Sequence, residues 1–209
     1  MQFPVKVLLG GLLLAPLVAE TPSRAQVACP TTNVSQATLL SYGLTGCKIG
    51  DMVYSHFSFA GNFPTGGLFS FSGTQGSGYT FTASNLNASM IDTSYQYKMT
   101  IVGSGNQFLS FYTTSSVSGL TPNTSKTLQD FFHAGSEVIS TNGINSPIFA
   151  YPSPVNGPVQ IYGKIVVEAG TLGGFTDSVA QTPGPLPAMG AAAAFGISRR
   201  LRRRIKQSS

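Results

Sequence analysis

From Met52 the chain alternates with a period of two. Val53, Ser55, Phe57 and Phe59 fall on one side and Met52, Tyr54, His56 and Ser58 on the other, the pattern of a β-strand. Further strands are expected at Gly67–Phe71, Gly78–Thr82, Ala88–Asp92, Tyr95–Val102, Phe108–Thr114, Val159–Glu168 and Phe175–Ala180. The breaks between them are rich in Gly, Asn, Ser and Pro, as in Gly103-Ser104-Gly105-Asn106, which supply positive φ and Asx turns. Eight short strands with such turns predict an antiparallel β-sandwich or jelly roll. Thr127–Ala134 has helical spacing at Leu128, Phe131 and Phe132, but its β context favours a strand. Pro147, Pro152, Pro154 and Pro158 make Ser146–Pro158 a loop or an edge crossing.

Two other patterns frame this body. At the amino end Lys6 precedes an apolar run from Val7 to Ala19, followed by small and polar residues up to Ala25, which reads as a signal peptide over residues 1–25. The run is shorter than the roughly 20 residues of a spanning helix. Cys29 after Ala28 would suit a lipoprotein, but Gln26 stands where an apolar residue is expected. At the other end Pro183-Gly184-Pro185-Leu186-Pro187 leads into an alanine-rich stretch to Ile197 and then into Arg199, Arg200, Arg202, Arg203 and Arg204. The prolines predict an extended, accessible segment, and the apolar stretch with its arginines predicts shallow insertion into a membrane with an anionic inner surface.

Charge sharpens the division. The chain carries a formal net charge of +5, yet residues 27–182 hold Lys48, Lys98, Lys126 and Lys164 against Asp51, Asp92, Asp130, Glu137, Glu168 and Asp177, a net of −2. The positive excess is therefore terminal, and the body offers no basic face for nucleic acid. In a chain with an export signal, Cys29 and Cys47 predict one disulfide, enclosing a short helix over Gln36–Tyr42 that is capped by Ser35 and ended by Gly43. An oxidised pair cannot serve as a nucleophile, and two cysteines with two distant histidines make a weak zinc set.

The tail resembles the PEP-CTERM sorting signal of bacterial surface proteins, in its cyanobacterial variant. The resemblance implies a membrane-embedded exosortase as partner, an enzyme with a cysteine protease-like mechanism that removes or exchanges the tail at the cell envelope. Pro183, Gly184, Pro185, Leu186 and Pro187 would form the sorting motif, Leu186–Ile197 the membrane segment, and Arg199, Arg200, Arg202, Arg203 and Arg204 the basic stop. Gly184 stands where the common signal has glutamate. Cys29, Thr38-Leu39-Leu40, Cys47-Lys48-Ile49-Gly50-Asp51 and Val53–Phe59 are similar to an amino-terminal module of many proteins with that signal.

Chemistry is sparse. His56 and His133 lie in no catalytic spacing, Gly73–Gly78 lacks the Lys-Ser or Lys-Thr of a phosphate loop, and a hydrolytic cleft would have to recruit Asp92, Asp130 or Glu137. Phe57, Phe59, Phe69, Phe71, Phe81, Phe108, Phe111, Phe131 and Phe132 are expected in the core. Tyr54, Tyr79, Tyr95, Tyr97, Tyr112 and Tyr151 are expected to include exposed platforms for polysaccharide or protein.

The reading is an all-β protein in three parts: signal peptide 1–25, secreted sandwich domain 26–182, and sorting signal 183–209 with a short transmembrane helix. It is expected to be exported to the cell envelope, outer surface or extracellular matrix after transient inner-membrane anchoring. It is expected to be noncatalytic, without cofactor or metal, and to meet extracellular polysaccharide or like proteins. The alternative is a polysaccharide-binding surface module.

Overall fold

The computed structural model describes residues 26–103, 105–133, 136–144 and 148–182. Among them, eleven strands and one helix follow in the order β1 (Val27–Ala28), β2 (Val34–Ser35), α1 (Gln36–Ser41), β3 (Cys47–Ile49), β4 (Met52–Gly61), β5 (Leu68–Thr74), β6 (Gly78–Ser84), β7 (Ile91–Ile101), β8 (Gln107–Asp130), β9 (Glu137–Thr141), β10 (Phe149–Val155) and β11 (Val159–Thr182).

All the strands belong to one sheet, bent into a half-barrel around a spine. The spine is the antiparallel pair β8 and β11, 24 residues each, in register from Ile161 opposite Asp130 to Thr182 opposite Gln107. The first half of β11 carries on its other edge β7, then β4, β3 and β1. Its second half carries β6, then β5 and β2. On the far side of β8, β9 pairs with the second half and β10 with the first. Two arms thus grow from one pair of strands. Where they part, the ladder slips near Ala169, and Gly119 and Gly170 oppose each other with φ of +127° and +85°. A Cβ on Gly119 would lie 3.0 Å from Gly170 Cα, and one on Gly170 2.8 Å from the Ser118 carbonyl, so only glycine permits the bend.

This corrects the expected sandwich or jelly roll of separate short strands. Phe108–Thr114 and the first part of Thr127–Ala134 are two ends of β8, joined through residues 115–126, whose polar composition looks like a loop while Val117, Thr121 and Thr124 tolerate a pleated backbone. The expected transmembrane helix is also withdrawn, and with it the inner-membrane anchoring. Among the described residues no helix is long and apolar enough to cross a membrane, and α1 has six residues. The signal-peptide stretch, the sorting motif Pro183, Gly184, Pro185, Leu186 and Pro187, the membrane segment and the basic stop Arg199, Arg200, Arg202, Arg203 and Arg204 lie outside the described residues. The 12 residues Leu186–Ile197 are in any case well short of the roughly 20 that span a bilayer.

The arms face each other through aromatic rings. Tyr54 on β4 meets Phe71 on β5 at 4.7 Å between centroids, Tyr97 on β7 meets Phe81 on β6 at 5.0 Å, and Phe59 meets Phe69 at 5.4 Å. Burying each such ring contributes about 1.5–3 kcal/mol. The period-two reading of β4 needs a correction here: His56 takes φ +57° in a bulge between Ser55 and Ser58, so Met52 and Tyr54 before it and Phe57 after it are all buried. Phe131 and Phe132, expected in the core, are 70% and 54% exposed in the turn after β8. Ala88–Asp92 is mostly loop, with positive φ at Met90 and, just before it, at Asn85 and Asn87, and β7 begins at Ile91. β10, with Pro152 and Pro154, is an edge strand, where missing N–H donors are tolerated.

The amino-terminal strands pack on this frame through a covalent link. Cys29 and Cys47 form a disulfide with Cα atoms 4.7 Å apart, and β1 runs parallel to β3 beside it. Within the loop Ser35 Oγ accepts from the Thr38 N–H to cap α1, and Gly43 takes φ +54° after its end. Closing a loop of 18 residues of separation stabilises the fold by about 3 kcal/mol on the chain-entropy account.

Candidate functional site

Two constellations stand out, one inside the fold and one on its surface. The inner one joins the arms. Lys126 lies in the second half of β8, opposite Ile165 and Ser140, and alternation turns it inward with Thr124, Leu128 and Asp130. Asp177 lies in the second half of β11, opposite Phe81 and Thr113, on the other arm. The Lys126 side chain crosses the interior and its Nζ pairs with Asp177 Oδ1, with both side chains at most 2% exposed. Thr113 Oγ1 accepts from Lys126 and donates to Asp177 Oδ1 at 2.8 Å, while Tyr95 OH donates to Asp177 Oδ2 at 2.5 Å and Tyr97 OH approaches it at 3.4 Å. Nζ sits 4.5 Å from the Phe175 ring centroid and 5.5 Å from that of Tyr95, within reach of cation–π attraction.

Burial and this pairing set the protonation of the groups. Desolvation pushes the Lys126 ammonium below its ordinary range, and Asp177 pulls it partly back. The Tyr95 and Tyr97 phenols are raised well above theirs by burial first and by the Asp177 charge second. A second buried carboxylate, Asp51, accepts from Tyr79 OH at 2.6 Å and Asn106 Nδ2 at 2.8 Å; burial and the Asp51 bond push Tyr79 up to about 12. A third, Asp130, contacts His133 Nδ1 and accepts from Tyr151 OH at 2.9 Å and the Phe132 N–H at 3.1 Å. Tyr54, Tyr79, Tyr95, Tyr97 and Tyr151 are thus buried rather than exposed platforms, and of the six tyrosines named above Tyr112 alone has its phenol partly open to solvent.

The outer constellation lies on the back of the arm that carries β5 and β6. Neighbouring strands place Ser70, Thr82, Thr176 and Thr114 in one row, and Ser72, Thr80, Ser178 and Tyr112 in the next. The strands stand about 4.8 Å apart, so eight hydroxyls form a regular net. Thr80 and Ser178 approach to 3.3 Å and Thr82 and Thr176 to 3.5 Å. Beside the first row an open groove of about 530 Å3 is lined by Thr82, Ser84, Thr114, Ser116, Thr176 and Gly173, and every residue along it is uncharged. The other arm's back instead carries Asp92, Lys98, Glu137, Lys164 and Glu168, with Asp92 and Lys164 paired at 3.4 Å.

The three carboxylates nominated for a cleft do not converge. Asp130 points inward, while Asp92 and Glu137 are exposed on the outer face, on β7 and β9. Among the described residues no group of three or more His, Cys, Asp or Glu is placed to hold a metal. Neither a known family model nor a curated protein matches the chain, so the likeness of the tail to a PEP-CTERM signal, with the export by that route it implied, has no support from relatives.

Sequence reasoning missed both constellations. Lys126 entered only as a charge, although its parity with Leu128 marks it as inward. The Ser and Thr residues of the hydroxyl net, all but Ser72, fall within the expected strands, but were not singled out as one face although they alternate with Phe69, Phe71, Tyr79 and Phe81.

Proposed function

We propose that this is an exported, noncatalytic matrix protein that lies against neutral polysaccharide through its hydroxyl face. The observation that carries the reading is the neutral net of Ser and Thr hydroxyls with its adjoining groove. Each hydroxyl offers one donor and two acceptor sites, the complement of a sugar hydroxyl, and the threonine methyl groups beside them suit the C–H faces of a sugar ring. Uncharged walls give no reason to prefer an anionic chain. The Cys29–Cys47 disulfide suits an oxidising compartment, which accords with export.

Affinity electrophoresis of the full-length, disulfide-bonded protein through gels containing dextran, laminarin or hydroxyethyl cellulose, with alginate as the anionic control, tests the contact. Retardation by at least one neutral glucan, insensitive to salt, is the expected result. A Cβ at Gly173 would meet only ordinary contacts, 3.5 Å from Ser116 Oγ, so Gly173→Leu fills the groove with little strain on the backbone. It should weaken retardation at least tenfold, as should the triple change Thr82→Val, Thr114→Val and Thr176→Val. No retardation by any neutral glucan, or retardation that both variants leave unchanged, overturns the reading.

A further inference from the structure

A primary amine held against a carboxyl group in a dry interior either remains an ion pair or condenses with it. We infer that Lys126 and Asp177 condense to an intramolecular amide between Nζ and Cγ, a covalent tie across the interior from one arm of the sheet to the other. The inference is independent of the glycan reading, since it concerns a different set of residues.

Placement comes first. Nζ already touches Asp177 Oδ1, and the two residues are fixed on strands of the spine, so the amine meets its target without a loss of translational freedom. The surroundings come second. Both side chains are buried and the rings of Phe175 and Tyr95 flank the amine, so the medium penalises the ammonium charge and favours the neutral amine. The neutral amine is the nucleophile. Polarisation comes third. Tyr95 and Thr113 donate to different oxygens of the same carboxyl group, at 2.5 and 2.8 Å, and the same donors meet the charge that grows on oxygen when nitrogen adds to Cγ.

The step balances with these two groups alone. One proton passes from the Lys126 ammonium to the Asp177 carboxylate; Nζ then bonds to Cγ, and one C–O bond breaks. The departing oxygen leaves as water with two of the three ammonium hydrogens, and the third stays on the amide nitrogen. The remaining carboxyl oxygen becomes the amide carbonyl. Exclusion of bulk water then protects the product from hydrolysis.

Mass spectrometry of the native full-length protein tests this without any variant. The expected intact mass falls short of the disulfide-bonded sequence by one water. After reduction, trypsin should fail to cleave after Lys126, leaving residues 99–164 in one piece and joined to the peptide that begins at Ile165. An intact mass with no deficit, together with complete cleavage after Lys126 in unlinked peptides, overturns the inference. Lys126→Arg keeps a cation beside Asp177 but removes the amine, and should abolish both the deficit and the linked peptide; a deficit that persists in this variant overturns the assignment to Lys126.

Discussion

The interior has two zones built on different terms. In the aromatic zone Phe81 touches the rings of Phe57, Phe69, Phe71, Tyr95, Tyr97 and Phe175, with centroids 5.0–6.4 Å apart. Stability there comes from area removed from water, shared among many partners, and a change at one ring is felt as a cavity. In the polar zone Lys126, Asp177, Thr113 and Tyr95 depend on one another, and each satisfies a group that burial would otherwise leave exposed to a large penalty. The contrast shows two ways of holding the same two arms together: one graded, one nearly all-or-none.

The largest effect expected from breaking this contrast is at Lys126. Lys126→Ala leaves Asp177 buried without a counter-ion and should cost about 3–5 kcal/mol in urea unfolding. Lys126→Met combined with Asp177→Leu loses the same Lys126–Asp177 tie but strands no charge, and should cost less than the single change, which a double-mutant cycle measures directly. Equal losses in the single and double variants would show that the lost tie, not the stranded Asp177 charge, dominates the zone. A smaller effect is expected where the zones touch. Gly163 lies under Tyr95, and a Cβ there would sit 2.1 Å from the ring; Gly163→Ala should displace the phenol from Asp177, cost about 1–3 kcal/mol and change the near-ultraviolet circular dichroism.

An effect of similar size is set by pH. Tyr79 is raised to about 12 in the fold from an ordinary 10. Below pH 10 it is protonated in both states and its contribution is fully present. As pH rises, the unfolded chain ionises first, so stability is lost from about pH 10 through about pH 12, by roughly 1.4 kcal/mol per pH unit for each phenol so held. Thermal melts should therefore fall steeply across that window, and Tyr79→Phe should make the fall shallower. A melting temperature that is level from pH 9 to 12 would break the link between these phenols and folding.

How much of this was legible follows from what alternation can and cannot report. Tyr95–Val102, Gly78–Thr82, Val159–Glu168 and Phe175–Ala180 carry clean period-two signals, and each lies in a strand but for Val102, one residue past the end of β7. The Ser35 cap and the Gly43 stop are local chemistry and could be read residue by residue. Continuity could not. Nothing local distinguishes Ser115–Ser118 from a turn, because its place in β8 is decided by Ser116 and Val117 lying opposite Gly174 and Leu172, more than fifty positions away. The bulge at His56 shifts the phase of β4 without any glycine to announce it. For the candidate sites the loss was greater: a hydroxyl net is a property of four strands in register, and the partner of Lys126 lies on the opposite arm.

The long spine also decides how the molecule meets a pulling force. β11 is bonded along β8 on one edge and to β7 and β6 on the other, and the chain leaves it at Thr182. Tension applied there runs parallel to the strand, so the ladders on both edges are sheared together instead of unzipping pair by pair. A tether at that end would grip the fold by the strand hardest to draw out.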